Sequence, residues 1–530
     1  MTRGAASLAC GLLLAAVGAH AAGLSGHSGD TLSGSEQRGK NVYLGIGVAE
    51  SGIKARVGSP PAAAPAVLLA CVNCHGRDGK GKPEGRIVPS DITWDALTKP
   101  YGVTHPSGRT HPPYTERLLV RAICMGLDSA GNELHPTMPR FQMSREDVGA
   151  LIGYLKKLTS DADPGLSESA IRIGTIVPAG GAPAAAGRTA SSVISAYVDA
   201  LNRQGGIYGR RLELAQATLA LDAPDADIQA NFDRFISERR PFAMVGSVIT
   251  GAEQSIVAAA ERQHIPFVGP LTLWPEAAAA STQTFYLLSG VQQQARALLD
   301  FEKRRSPEST PAVALVYSQR TMPAAAIGQV QDAARRLGWN AVHAIDLDRD
   351  APRMSVERLK TEPATTRVLL LADGRAALEF ARACAEADWT PLLLVPGALA
   401  SNDILAIHRS SPSRILIAVP SVPSDQTNAG SAEYRALADT YRLPAEEMAS
   451  QIAALCSAKV LTQGLKLAGK ALSRSTLIEA LEGLADFDTG LMPRIGFGPN
   501  RRIGAPGAYI VEVDPAAQRF KQVSQWVDIE

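Results

Sequence analysis

A chain of 530 residues is too long for one hydrophobic core and implies about three folded units. Its 45% hydrophobic share is that of an ordinary globular protein, and a formal net charge of +1 leaves no basic stripe to neutralise phosphates. Nucleic acid is therefore excluded as a partner. The N-terminus reads as a targeting segment, residues 1–21: Arg3 supplies a positive start, Leu8 to Val17 is a short apolar run, and Ala19-His20-Ala21 fits a small-x-small cleavage site. No later stretch reaches about 18 uninterrupted apolar residues, so a soluble periplasmic protein is expected after cleavage. Cys10 precedes most of the apolar run, which argues against a lipid-acceptor cysteine. Residues 22–35, rich in Gly and Ser, are expected to be disordered, and residues 52–66 to be an irregular loop.

Cys71-Val72-Asn73-Cys74-His75 is a C-x-x-C-H run. Two thiols three positions apart on one helical turn can add to the two vinyl groups of a haem, which leaves the adjoining imidazole beneath the iron. A zinc site would need a second ligand pair, but Cys10, Cys124, Cys384 and Cys456 stand alone. A thioredoxin-like pair would sit in a βαβ pattern, and none surrounds this one. One covalently bound haem c is the expected cofactor. Its sixth ligand is expected at Met138, where Pro136 and Pro139 stiffen the loop and present the thioether. His135, Met125, Met143 or no ligand at all are the alternatives. Lys80, Lys82 and Arg86 could steer an acidic redox partner, since residues 36–160 hold 16 Lys and Arg against 11 Asp and Glu. His105 and His111 read as surface residues of a loop over the haem edge, and Cys124 as an inert thiol.

Downstream, Val148, Leu151, Ile152 and Leu155 recur at i, i+3, i+4 and i+7 behind Ser144 and Asp147, which predicts a capped amphipathic helix. With the Gly39 and Tyr43 pair, the C-x-x-C-H run and Met138-Pro139, residues 36–158 resemble a class I c-type cytochrome. The resemblance implies an all-α domain with Cys71 and Cys74 as thioether anchors and His75 and Met138 as axial ligands. It also implies that the closing helix crosses the first at Gly39, with Tyr43 packed beside it.

Residues 159–169 form a polar linker containing Pro-Gly, and if flexible its eleven residues would span roughly 18 Å. Strands are then predicted at 171–177, 211–216, 242–246, 265–269, 312–317, 341–345, 367–371, 391–395 and 414–419, with helices in most gaps. That order implies a two-lobed α/β region of parallel sheets covered on both faces, any binding crevice lying at the strands' carboxyl ends. The run from Tyr197 to Gly209, Val245-Gly246, and His264 to Val268 resemble the periplasmic solute-binding proteins of the branched-chain amino-acid type.

That resemblance implies, for residues 170–530, two lobes hinged around a small solute and a possible membrane importer as partner. Its hydroxyl-rich loop falls at Thr250, Gly251 and Ala252, its next loop at Leu271, Thr272 and Leu273, and its expected acidic residue at Ala398. A zwitterion buried without paired groups loses several kcal/mol, so a less charged solute is expected, such as an alcohol, aldehyde or aromatic acid. Thr250, Thr272, Trp274, Met322 and Asp373 are the pocket candidates. No Ser-His-Asp order, phosphate loop or nicotinamide fingerprint stands at a strand-to-helix turn, and no enzymatic chemistry is expected. The expected role is electron transfer with a periplasmic redox partner, such as a quinoprotein dehydrogenase.

Overall fold

Ser33 begins the first helix, inside the stretch expected to be disordered. Its hydroxyl accepts the Glu36 N–H while the Glu36 carboxylate accepts the Ser33 N–H at 2.7 Å, and this reciprocal cap starts the helix Gly34–Leu44. The computed structural model describes residues 32–48, 51–81, 87–161, 163–275, 281–305, 312–339, 341–362, 366–400, 412–470, 472–514 and 519–529. The expected targeting segment, Cys10, Lys82 and Arg86 lie outside them. The chain divides into two units, Met1–Asp161 and Ala162–Glu530.

In the first unit the amphipathic helix Arg145–Lys157 buries Val148, Leu151, Ile152 and Leu155 as its spacing predicts, capped by Ser144 accepting the Asp147 N–H at 3.0 Å. It crosses the first helix at Gly39, where an added Cβ would lie 2.0 Å from the Ala150 carbonyl oxygen. Tyr43, fully buried, meets Tyr154 edge to face one turn further on. Arg38 ties the same two helices from outside, through Asp147 and Glu146. The helix Glu116–Met125 and the short helix Trp94–Leu97 complete the apolar cluster.

The unit is rich in helix but not all-α. Lys54–Val57 pairs antiparallel with Ala62–Ala64 on one side and with Arg140–Gln142 on the other, where a loop was expected. Alanine is a weak strand former, and one partner of this strand is Phe141, far along the chain, so local sequence carries little strand signal here.

The expected linker is also largely built into structure. Asp161 accepts hydrogen bonds from Tyr154 Oη at 3.0 Å and Lys40 Nζ at 2.7 Å in the first unit. Asp163 accepts the Arg474 N–H in the second, and the Gly165 carbonyl takes the Arg172 N–H at 2.7 Å.

All nine predicted strands of the second unit are present. One sheet runs, in spatial order, Ile503–Ala505, Thr284–Leu288, Phe267–Val268, Ala243–Val245, Ala170–Pro178, Arg211–Leu219. The other runs Ala341–Asp346, Ala312–Tyr317, Arg367–Leu371, Leu392–Pro396, Ile415–Val419, Gly507–Asp514, Arg519–Gln522, with Val527–Asp528 beside Gly507–Asp514. Neighbours are parallel until Gly507–Asp514, which returns antiparallel. Both faces of each sheet are covered. In Arg367–Leu371, for example, Leu369 and Leu371 face one apolar cluster and Val368 and Leu370 another. At the end of the run from Tyr197 to Gly209 the chain turns through left-handed positions at Gly205, Gly206, Tyr208 and Gly209, with Gly206 at φ 69° and Gly209 at φ 79°.

The chain crosses between the sheets at 289–290, after 419 and at 506. Two crossings are tied where Ser289 Oγ donates to the Gly507 carbonyl at 2.7 Å. Buried Arg474 donates its guanidinium to the carbonyls of Phe242, Pro241, Gln263 and His264, which fixes the first lobe's lower edge.

The helix crossing generates a prediction. Gly39→Ala forces backbone apart, and overpacking of this kind costs about 1–3 kcal/mol. Urea denaturation of the full chain followed by tyrosine fluorescence and far-UV dichroism should show the transition of the first unit moved to lower urea while that of the second stays in place.

Candidate functional site

The C-x-x-C-H residues form a single helical turn, Cys71–His75, entered from the 3-10 turn Ala66–Leu69 and closed at Gly76, φ 73°. Tyr43 Oη donates to the Gly76 carbonyl at 2.5 Å, so the helix-crossing core also anchors the end of this turn. His75 is buried, with Nδ1 2.9 Å from the Ser90 carbonyl oxygen. A carbonyl only accepts, so Nδ1 carries the proton and Nε2 keeps its lone pair. Burial holds the imidazole below its ordinary value despite the Ser90 bond and the nearby Asp91 charge, so it is neutral, as a metal ligand must be.

Cys71 is half-buried and its thiol is pushed up to about 12 by burial, whereas Cys74 is exposed. Leu68 and Val88, in the segments just before the motif and just before Ser90, stand 68% and 60% exposed. A flat apolar group seated on His75 would cover such side chains. Two sulfurs on one turn, a lone-pair imidazole and uncovered apolar surface together fit a covalently attached haem. Among the described residues no group of three or more His, Cys, Asp and Glu could hold a metal ion, which fits zinc poorly.

Met138 is half-buried in a turn closed by its own N–H donating to the His135 carbonyl at 2.9 Å, and Arg140 grips its carbonyl oxygen. Of the alternatives, His135 is committed to Thr137 Oγ1 at 2.8 Å, Met125 is 64% exposed and Met143 is half-buried. Cys124 is half-buried with its thiol raised by burial, in keeping with an inert group. His105 and His111 depart from expectation. His111 is 7% exposed, and its Nε2 lies 3.0 Å from Nε2 of His105. A hairpin of Val103–Thr104 with Thr110–His111 folds them together, a contact that neither residue's spacing announces.

In the second unit the loops bearing Thr250 and Thr272 lie side by side, the Ile249 N–H donating to the Leu271 carbonyl at 3.0 Å. What joins them is a residue the sequence reading missed. Glu253, buried at the start of the helix Glu253–Arg262, accepts the Thr272 hydroxyl at 2.6 Å and the Gly251 N–H at 2.9 Å. Burial raises this carboxyl above its usual range, although these bonds pull it down. An acidic residue in a first helical turn reads as ordinary dipole pairing, so sequence offered no sign of it.

Trp274 and Met322, expected at the pocket, are instead 6% and 1% exposed within one apolar cluster of the second lobe. Large apolar groups gain more from packing than from facing an open cleft. Asp373, also a pocket candidate, is exposed and caps the helix Gly374–Glu386 by accepting the Ala376 N–H at 3.0 Å. Cys384 and Cys456 are buried in separate helices, their thiols pushed up to about 12 by burial.

Comparison with known proteins follows the same division. Residues 62–159 match the cytochrome c family and residues 170–519 the family of periplasmic binding proteins. A fatty acid ABC transporter substrate-binding protein from Thermomonospora curvata shares 19% identity at a TM-score of 0.54, over 70% of this chain and 95% of its own. A branched-chain amino-acid ABC transporter protein from Thermus thermophilus with bound valine shares 16% at 0.55, over 68% and 97%. A leucine-binding protein from Thermotoga maritima shares 14% at 0.53, over 68% and 99%. At such identities the likeness is one of fold. No curated protein matches. The chain belongs to the periplasmic binding protein family and carries a cytochrome c domain ahead of its binding-protein region.

Proposed function

We propose that this chain is an exported carrier of single electrons, with one covalent haem, joined to a module that holds a small solute and serving a periplasmic dehydrogenase. The observation that carries this reading is His75, locked through Nδ1 with its Nε2 lone pair free, on the same helical turn as Cys71 and Cys74. Haem, when bound, supplies a one-electron iron couple. The chain would contribute the rest: Cys71 and Cys74 would anchor the group, His75 and Met138 would ligate its iron, and thioether ligation would set a potential above that of a bis-histidine site. No helix of the described residues is long and apolar enough to cross a membrane. A periplasmic location agrees with both families.

Glu253 narrows the solute. Two donors on the first-lobe loops, the Gly251 N–H and the Thr272 hydroxyl, are already taken by the protein's own carboxylate. A solute bringing a second carboxylate to these loops would meet like charge, with these two donors already occupied. An alcohol or aldehyde therefore suits the module better than an amino acid, and better than an aromatic acid. A second reading, a receptor delivering solute to a membrane importer with haem as redox gate, is favoured by the ABC transporter proteins whose fold the second unit shares.

Stopped-flow mixing with a reduced quinoprotein alcohol dehydrogenase should reduce the haem on a catalytic timescale, and an unchanged haem spectrum would sink the electron-carrier role for that enzyme. Under the importer reading, saturating solute shifts the haem midpoint potential, because coupling between two sites is reciprocal. Met138→Ala should abolish the sulfur-to-iron charge-transfer band and open the iron to exogenous ligands; a band that survives assigns the ligand elsewhere. Glu253→Ala frees the two donors, so a millimolar aromatic carboxylate such as benzoate should raise the melting temperature of the variant by about 2 °C and leave the parent unmoved.

A further inference from the structure

The His105–His111 pair is joined to the haem motif through a single residue. His111 Nδ1 lies 2.8 Å from the Pro112 carbonyl oxygen and 3.1 Å from Ser129 Oγ. The carbonyl cannot donate, so this nitrogen holds the proton and His111 Nε2 offers a lone pair. At 3.0 Å, His105 must then donate from its own Nε2. That leaves His105 Nδ1 as acceptor for the Ser90 hydroxyl, 3.3 Å away. Ser90 is the residue whose carbonyl accepts the His75 Nδ1–H. One serine thus holds the iron ligand by its backbone and the imidazole pair by its side chain.

We propose that the first unit takes up a proton on the His105–His111 pair with the electron that reaches its haem. With haem bound, a one-electron donor would reduce iron(III) to iron(II) and so lower the positive charge at the site by one. A proton leaves water and bonds to His105 Nδ1, and the Ser90 hydroxyl turns from donor to acceptor. No other bond breaks.

The surroundings set the sign. Arg109 stands on the same hairpin and pairs with fully buried Asp128 at 2.7 Å; Arg121 donates to the Asp128 carbonyl from the helix Glu116–Met125. The Tyr114 ring packs 4.9 Å from His111, and Asp91 follows Ser90 on the His75 side. Burial, then the Arg109 charge and His111, hold His105 below the ordinary imidazole value against the pull of Asp128. Reduction removes a positive charge and raises the pair's proton affinity. The midpoint potential therefore falls as pH rises between the oxidised-state and reduced-state pKa values, and is flat on either side.

Spectroelectrochemical titration of the haem-loaded full chain from about pH 5 to about pH 9, the span in which imidazoles titrate, tests this. The expected slope in the window approaches about 59 mV for a tenfold change in proton concentration. It should vanish in the double variant His105→Gln, His111→Gln and shrink in Ser90→Ala, each with its visible spectrum retained. A flat parent, or a slope that persists in the double variant, overturns the proposal. Imidazole NMR titration of the parent needs no variant: a higher pKa for the pair in the reduced protein supports it, and equal values in the two states overturn it. The inference rests on His75 being the iron ligand. A colourless protein overturns both readings, whereas a coloured one with a flat potential overturns only this one.

Discussion

The hydrogen bond from His75 Nδ1 to the Ser90 carbonyl is the constraint on which the first unit's chemistry depends. A free imidazole could turn, exchange tautomers or take up a proton; this one can do none of these cheaply, because it is buried and its second nitrogen is committed. The bond holds only if the turn Cys71–His75 is itself held in place. Tyr43 does that by donating to the Gly76 carbonyl, and Tyr43 is itself held where the first and last helices cross at Gly39. The orientation of one ring thus descends from a glycine with no room for a methyl group.

The second unit applies the same physics to a different end. Two largely parallel sheets, each packed on both faces, form the two lobes, and the chain passes between them at narrow crossings. The Ser289 to Gly507 hydrogen bond ties two of those crossings together, and Trp274 and Met322 are packed into an apolar cluster of the second lobe. Glu253 works in the same direction on the first lobe. Its burial costs free energy that the Thr272 and Gly251 bonds help to offset.

Haem and solute chemistry differ in what they require of the chain. Thioether attachment and axial ligation need a few residue types at fixed spacing on one turn, with a carbonyl behind the ring. Solute selection needs complementary polar groups from several loops, each of which can be satisfied internally instead. The first kind of site tolerates almost no variation, while the second can be reworked residue by residue on an unchanged scaffold.

That difference sets what could be read from the residues alone. The haem motif, the capped helix after Ser144 and nine strands of the second unit were legible, because each depends on short-range spacing or on runs of four or more apolar residues. The strand pairing of Lys54–Val57 was not, since its alanines carry little strand preference and Phe141 is far along the chain. Nor were the anchoring of Asp161 and Asp163, the burial of Met322 or the meeting of His105 with His111. The sequence by itself determined which atoms can bond a haem and where strands and helices alternate. Only the tertiary structure decided which polar groups find each other, because a carboxylate such as Glu253 or an imidazole such as His111 has no fixed role until distant loops bring its partner within about 3 Å.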